Sequence, residues 1–339
     1  MSSQHHYRGD IQKYLSKNQD KKIPCPLCDR FDDYVLAKQG FPGVPVRNVI
    51  CRRCGLIRIT PRMSDHDYEK FYESDFFEYL NPYARPAYVE EIEYTTDESY
   101  ETPTKKRLIP FLRDWVPSGG RVLDVGAGFG QILYLLKKEK NISYIGLEPD
   151  PYSRKIAQAR IGVDLKNETV ESFLTRNKEQ FDFIVLDQTY EHLLYPLETL
   201  QGLAKILKPE GVIFIGVPGT MNPLIPMNLF FQIAHTFNYT SHTFDLLAKR
   251  AGLKLIKVRD PRGYPLEVLL AKAESSYSEA PESERQVGSD WREIVRIYRR
   301  KKFLNLFRGA VKRALRAVVG EKATEKIRSG FDRTIRYKY

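Results

Sequence analysis

Three groups of residues in this 339-residue chain have the types and spacing to do chemistry. The first is Arg121–Gly130, where Asp124 lies near the end of a short apolar run and Gly126, Gly128 and Gly130 follow at alternate positions. Glycine lets a backbone approach a ligand closely, because no Cβ stands in the way. A helical pattern begins at Gln131, so a strand, a tight turn and a helix N-terminus together predict a nucleotide-sized site. The second group is Cys25-Pro26-Leu27-Cys28 and, 22 residues on, Cys51-Arg52-Arg53-Cys54-Gly55. The third is Asp187-Gln188-Thr189-Tyr190-Glu191-His192, with His235 further along ahead of Phe237, Tyr239 and His242.

The spacings narrow the chemistry. A dinucleotide fingerprint would need glycine at 131, where Gln131 stands. Glu148 lies 18 residues after Gly130, at the end of the strand pattern Ser143–Leu147. A carboxylate there either accepts hydrogen bonds from both ribose hydroxyls of a nucleoside or is a surface acid before the turn Pro149-Asp150-Pro151. Two C-x-x-C knuckles suit a four-cysteine zinc ribbon with every coordination position filled by sulfur, a structural site without an open position. So few apolar residues separate the knuckles that the unit is expected to need its metal to fold. His192 and His235, each beside aromatic residues at the two ends of the expected cleft, are candidate general bases, since an unperturbed histidine titrates near about 6.5. Alternatively, His192 only caps its loop.

These groups need elements to hold them. From Arg121 strand and helix patterns alternate, with strands at 121–125, 143–147, 163–166, 181–187, 212–217, 253–259 and 265–271. That predicts an α/β fold: a doubly wound Rossmann-like sheet with an antiparallel edge strand, whose carboxyl edge carries the ligands. Residues 1–22 form a flexible N-terminus and 23–62 the zinc ribbon, in which Leu56–Met63 is an edge strand ended by Pro61. Residues 63–107 form an aromatic helical linker or lid. Its Tyr68, Phe71 and Tyr72 are at helical spacing, and Tyr72 or Tyr79 either lines the cleft or packs on the next domain. The catalytic domain spans 108–273, a linker 274–290 and a basic helical tail 291–339. Within the domain, Pro218–Asn238 holds Met221, Leu224, Ile225, Met227, Leu229, Phe230, Phe231 and Ile233, an apolar roof expected to keep water from the reacting centre.

Composition excludes some functions. No run of about 18 apolar residues is present, and the polar N-terminus lacks a signal peptide's apolar core. A reducing, cytoplasmic setting is the expectation, which favours metal ligation over disulfides. The net charge of +11 is concentrated in the tail: Trp291–Tyr339 holds 16 basic and 4 acidic residues, leaving 38 and 39 for the rest. A near-neutral body disfavours a nucleic-acid binder without excluding one. In the tail, Leu304, Phe307, Val311, Leu315 and Val318 make an apolar stripe flanked by Arg308, Lys312, Arg313 and Arg316. Such a helix lies on an anionic membrane surface, docks on its own domain or a second subunit, or binds RNA.

Taken together, LDVGAGFG, the acid in GLEPD, FDFIVLDQTYEHL, LKPEGVIFIGVPG and the late AHTFNYTSHTF resemble the S-adenosylmethionine-dependent methyltransferases of the seven-stranded Rossmann-like class. The ribbon CPLC…CRRCGLIRITPR followed by YEKFYESDFF resembles a module joined to such domains in proteins associated with bacterial surface polysaccharides. The resemblance implies S-adenosylmethionine as cofactor and structural Zn2+ on Cys25, Cys28, Cys51 and Cys54. It implies that Asp124, Gly126, Gly128 and Gly130 hold the methionine end, that Glu148 binds the ribose, and that Asp187 and Gln188 lie near the sulfonium. Tyr190, Glu191, His192 and His235 would face the acceptor. The implied reaction is O-methylation of a sugar or glycan. RNA methylation through the ribbon and tail, or carbon methylation of a sugar nucleotide, are the alternatives. The related carbon methyltransferases carry a large third domain, whereas only about 65 residues follow this core, which favours oxygen.

Overall fold

A computed structural model describes residues 22–40, 45–72, 95–96, 102, 104–222 and 230–319. The expected flexible N-terminus to residue 21, Tyr79, the roof residues 223–229 and the tail beyond 319 lie outside the described residues.

The N-terminal unit is a small antiparallel sheet of β1 (Asp33–Ala37), β2 (Asn48–Cys51) and β3 (Ile57–Ile59), followed by α1 (Asp65–Lys70). Ser64 caps α1, its hydroxyl accepting from the Asp67 amide. Thr104–Leu108 and α2 (Ile109–Leu112) lead into β4 (Arg121–Val125). Then come α3 (Gln131–Lys140), β5 (Ser143–Leu147), α4 (Pro151–Ile161), α5 (Val170–Arg176) and β6 (Phe181–Asp187). A short turn of 3-10 helix, Tyr190–His192, precedes α6 (Pro196–Ile206), β7 (Leu207–Val217), β8 (Phe237–Asn238) and α7 (Ser241–Arg250). The remaining elements are β9 (Leu253–Arg259), β10 (Leu266–Lys272), α8 (Glu282–Arg285) and α9 (Trp291–Val319).

The central sheet has the order β5-β4-β6-β7-β10-β9, with β4 parallel to β5 and β6, and β6 parallel to β7. Its central strands are buried on both faces, as their near-continuous apolar sequences require. Side chains of α5, α6 and α7 cover one face and those of α2, α3 and α4 the other. The doubly wound α/β expectation holds, with two corrections. Val163–Lys166 does not form a full strand; only Lys166 bridges to Leu147. The antiparallel strand β10 lies inside the sheet, between β7 and β9, and not at its edge.

The chain around the ribbon differs from expectation in three places. Strand β3 is not an edge, because β8 pairs with it: Ile57 opposes Asn238 and Arg58 opposes Phe237. The ribbon sheet therefore takes its fourth strand from the segment after β7. Part of the described roof packs away from the site. Met221, Phe230 and Phe231 pack among Ile50, Ile57, Ile294 and Tyr298, between the ribbon and the start of α9. The expected linker at 274–290 carries α8, buries Ala280 and Val287, and ties Arg285 to the buried Asp245. The first turns of α9 bury Ile294, Val295 and Tyr298, whereas Phe303, Leu304 and Phe307 are exposed.

Candidate active site

At the carboxyl edge of the sheet, β4 ends in the glycine turn and β5 ends at Glu148. Gly126, Gly128 and Gly130 all take positive φ, at 69°, 53° and 73°. A Cβ on Gly126 would stand 2.4 Å from Thr189 Oγ1, so this glycine permits close packing of β4 against the loop after β6. A Cβ on Gly128 would meet nothing within 4 Å, so the turn faces open space there. Gly130 caps α3 in the left-handed region.

The Glu148 carboxylate accepts from the Gly128 amide at 2.8 Å and from the Asp150 amide at 2.8 Å. Burial pushes its carboxyl up to about 7, against the opposing pull of those two N–H bonds. Asp124 is buried, and its Oδ2 has no hydrogen-bond partner. Burial, with the neighbouring Asp187 and Glu148 charges, holds its carboxyl well above the usual carboxylate range. A buried acceptor without a donor is costly. A cationic or hydrogen-bonding ligand in the open space over Gly128 would relieve it. Gln188 is exposed, with φ of 52° and its amide donating to Gly216 O at 2.8 Å. Sequence reasoning missed Thr95, whose hydroxyl accepts from the Gln131 side-chain amide at 2.8 Å at the start of α3. A threonine of the pair Thr95-Thr96, among tyrosines and acids, carries no signal of its own.

Beyond β6 the structure gathers the second set. His192 and His235 are not at opposite ends of a cleft: their ring centroids lie 4.9 Å apart at an interplanar angle of 81°. Thr236 holds them together, its hydroxyl bonded to Leu193 O at 2.8 Å and Glu191 O at 3.1 Å. His192 Nδ1 lies 3.0 Å from Ala234 O and 3.1 Å from the Tyr72 hydroxyl. A carbonyl accepts only, so Nδ1 carries the proton and Nε2 the lone pair. That nitrogen is 3.9 Å from Glu191 Oε1. Burial lowers His192 to about 4 and pushes Glu191 up to about 8. His235 is held well below the ordinary histidine range by burial and then by His192. Its Nδ1 and Glu191 Oε2 have no hydrogen-bond partner.

Tyr190 does not join this set. It is fully buried, donates its hydroxyl to Pro196 O at 2.7 Å and packs on Tyr239 and Phe244. The next residue in a 3-10 turn points elsewhere, so Tyr190 goes to the core while Glu191 and His192 do not. Tyr72 reaches His192 from the ribbon side, its hydroxyl 3.1 Å from Nδ1. Tyr68 and Phe71 pack beneath it on Ile233 and Ala234.

The four cysteines are reduced, and their sulfur atoms lie within 4.8 Å of one another. Cys25 and Cys54 sulfurs are 3.4 Å apart, and those of Cys28 and Cys51 3.5 Å. A tetrahedral zinc with bonds of about 2.3 Å needs sulfurs roughly 3.8 Å apart, so the cluster fits such an ion. Gly55 closes the second knuckle at φ 75°. The cluster is built into the catalytic body: Cys25, Cys51 and Cys54 share one core with Phe244 and Leu247, and Arg250 donates to Leu27 O at 2.6 Å.

Residues 98–258 match the model of a family described as a methyltransferase domain. A ubiquinone biosynthesis O-methyltransferase of Actinobacillus pleuropneumoniae is 33% identical over 104 residues, covering 28% of this chain and 44% of that protein. The mitochondrial ubiquinone biosynthesis O-methyltransferase of Rattus norvegicus is 26% identical over 171 residues, covering 48% of this chain and 49% of that protein. The chain thus spans about half the length, or less, of these relatives. Among solved structures, an S-adenosylmethionine-dependent methyltransferase of Aquifex aeolicus aligns with a TM-score of 0.41 and 18% identity, over 55% of this chain and 97% of that one.

Proposed function

We propose that this chain, whose residues 98–258 form an S-adenosylmethionine-dependent methyltransferase domain, methylates an oxygen of a polar acceptor, a sugar or glycan hydroxyl. The observation that carries the choice of oxygen is the cluster of Glu191, His192 and His235 beside the carboxyl edge of β6. Glu191 is buried and the two histidines half-buried, and their atoms are lone-pair donors suited to receiving a hydroxyl and its proton. The curated relatives, by name, also methylate oxygen. The sugar class rests on the resemblance of the ribbon and its aromatic sequel.

The residues of the first edge would hold the cofactor. Glu148 would accept from the ribose hydroxyls and exchange its Gly128 bond for them. Asp124 Oδ2, without a donor of its own, would take the amino group of the methionine end. Bound there, S-adenosylmethionine supplies a methyl carbon already activated on a sulfonium, so the protein's own work is alignment and proton removal. His192 is neutral, and its Nε2 lone pair would accept the hydroxyl proton. Tyr72 and Ala234 O fix that imidazole's orientation through Nδ1. Zinc on the four cysteines would be structural, keeping β2, β3 and α1 in place so that Tyr72 reaches His192.

The basic helix α9 would rest on an anionic membrane surface. Phe303, Leu304 and Phe307 are exposed there among Arg299, Arg300, Lys301 and Lys302. Among the described residues no helix is long and apolar enough to cross a membrane.

The test is methyl transfer from labelled cofactor to a panel of glycans and sugar nucleotides. Label in an acid- and base-stable ether on a sugar oxygen is expected. Label on carbon, or on RNA only, would overturn the acceptor class.

A further inference from the structure

Three side chains near the proposed acceptor are arranged as ligands. The Glu191 side chain is only 2% exposed, and its Oε2 has no hydrogen-bond partner. His235 Nδ1 is likewise buried and unpartnered. The third, His192, presents an Nε2 lone pair 3.9 Å from Glu191 Oε1. One ligand atom from each of the three lies within 4.8 Å of the others. Lone pairs converging in a buried space repel one another unless a proton or a cation lies between them.

The surroundings of His192 favour a cation. A ligating imidazole characteristically donates its other N–H to a carbonyl or carboxylate, which fixes the tautomer and the ring orientation. Here Nδ1 bonds to Ala234 O at 3.0 Å, with the Tyr72 hydroxyl at 3.1 Å, and so Nε2 is aimed at Glu191. Thr236, bonded to two carbonyls of the 191–193 turn, holds the loop bearing His235 in register with it.

We propose that Glu191, His192 and His235 bind a divalent first-row transition-metal ion beside the acceptor. Two imidazoles and one carboxylate suit Zn2+, Mn2+ or Fe2+ better than Mg2+ or Ca2+, which take oxygen ligands. Three protein ligands leave coordination positions open for an acceptor oxygen. Bonds of about 2.0–2.2 Å require ligand atoms roughly 3–3.5 Å apart, so the three close by about 1 Å on the ion. With an ion bound, Nε2 would be a ligand, and this would replace its role as proton acceptor: an acceptor oxygen held by the ion would be acidified and would lose its proton to water. This site is separate from the four thiolates, and it deepens the methyl-transfer reading by giving that reaction a metal dependence.

The experiment uses the full chain with zinc on its cysteines. Mn2+, which thiolates bind weakly, is titrated and its free-ion magnetic resonance signal followed, with S-adenosylmethionine binding measured calorimetrically in parallel. Uptake of one Mn2+ per chain is expected, weakened about tenfold or more in Glu191→Gln and in His235→Asn, with cofactor binding kept. No uptake by a chain that binds the cofactor normally would overturn the ion site and leave the methyltransferase reading standing. So would uptake by both variants as tight as that of the unaltered chain. Uptake by a chain that does not bind the cofactor would support the ion site and reject methyl transfer. Should the variants fail to fold, the unaltered chain decides: Mn2+ should broaden the ring-proton resonances of His235, and unchanged lines would overturn the site.

Discussion

The Gly128 amide donates to the Glu148 carboxylate at 2.8 Å, joining the turn after β4 to the end of β5. The two residues are 20 apart in sequence, and α3 runs between them. Parallel pairing of β4 with β5 places Val125 opposite Leu147, so the two strands end level and their following residues meet. Only a backbone without a Cβ at 128 leaves the adjoining space open. The pocket is thus a consequence of register.

Glu148→Gln should weaken S-adenosylmethionine binding by about 10- to 100-fold, the loss of about 1.5–3 kcal/mol of charge-assisted hydrogen bonding. The pH dependence has a definite sign. The folded carboxyl titrates at about 7, above the ordinary 4.5. Its contribution to the stability of the ligand-free protein is therefore present below about 4.5 and lost as pH rises to about 7. Binding runs the other way, because the anion is the acceptor for ribose hydroxyls: affinity should rise through pH 7. Calorimetry and thermal melts from pH 5 to 8 check both trends, which the glutamine variant should lack.

Gly128→Ala and Gly126→Ala should separate ligand loss from fold loss. At 128 the added methyl meets open space but keeps a left-handed backbone, at a cost of roughly 1–2 kcal/mol. The melting temperature should fall by about 2–4 °C per kcal/mol while cofactor binding is lost. At 126 the methyl also strikes Thr189, so the larger drop belongs there. Equal melts for the two, with binding intact at 128, would contradict the assignment.

Much of this site is visible in the sequence because it is local. The glycine turn, the acid at 148 and the two cysteine pairs are each set by spacing along one or two elements. What the sequence hides is set by distant pairing. The union of β3 with Phe237–Asn238 cannot be read from either segment alone, and it is this pairing that brings His235 against His192. Tyr190 misled because one polar-tipped aromatic between polar residues looks exposed, while a 3-10 turn sends its ring into the core. The strand expected at 163–166 shrinks to a single bridge. Phe230 and Phe231 of the expected roof pack against the ribbon and the start of α9, a neighbour that no local pattern names.

Removing the metal from the cysteines should damage the catalytic body as well as the ribbon, because Cys25, Cys51 and Cys54 lie in the core that also holds Phe244 and Leu247. Purified protein should contain one tightly held zinc per chain. Chelation, or Cys54→Ser, should lower the melting temperature and shift the Tyr72 contact on His192. Elemental analysis with melting curves checks this; a metal-free chain that melts unchanged would speak against a structural zinc.

The exposed face of α9 predicts membrane association that depends on both charge and apolar contact. The 339-residue chain should float with vesicles containing anionic lipid and not with neutral ones, each nearby basic residue adding about 1 kcal/mol. Phe303→Glu with Phe307→Glu should reduce flotation without altering cofactor binding. Flotation that ignores lipid charge, or survives the double substitution, would leave this helix another partner.

The central claim is that the bend at 126–130 and Glu148 form one cofactor pocket. Calorimetric titration of the full chain with S-adenosylmethionine addresses it directly. Saturable binding with one molecule per chain is predicted, strongly weakened by Glu148→Gln. A cooperatively folded chain that gives no binding heat and no melting shift with the cofactor would contradict the account.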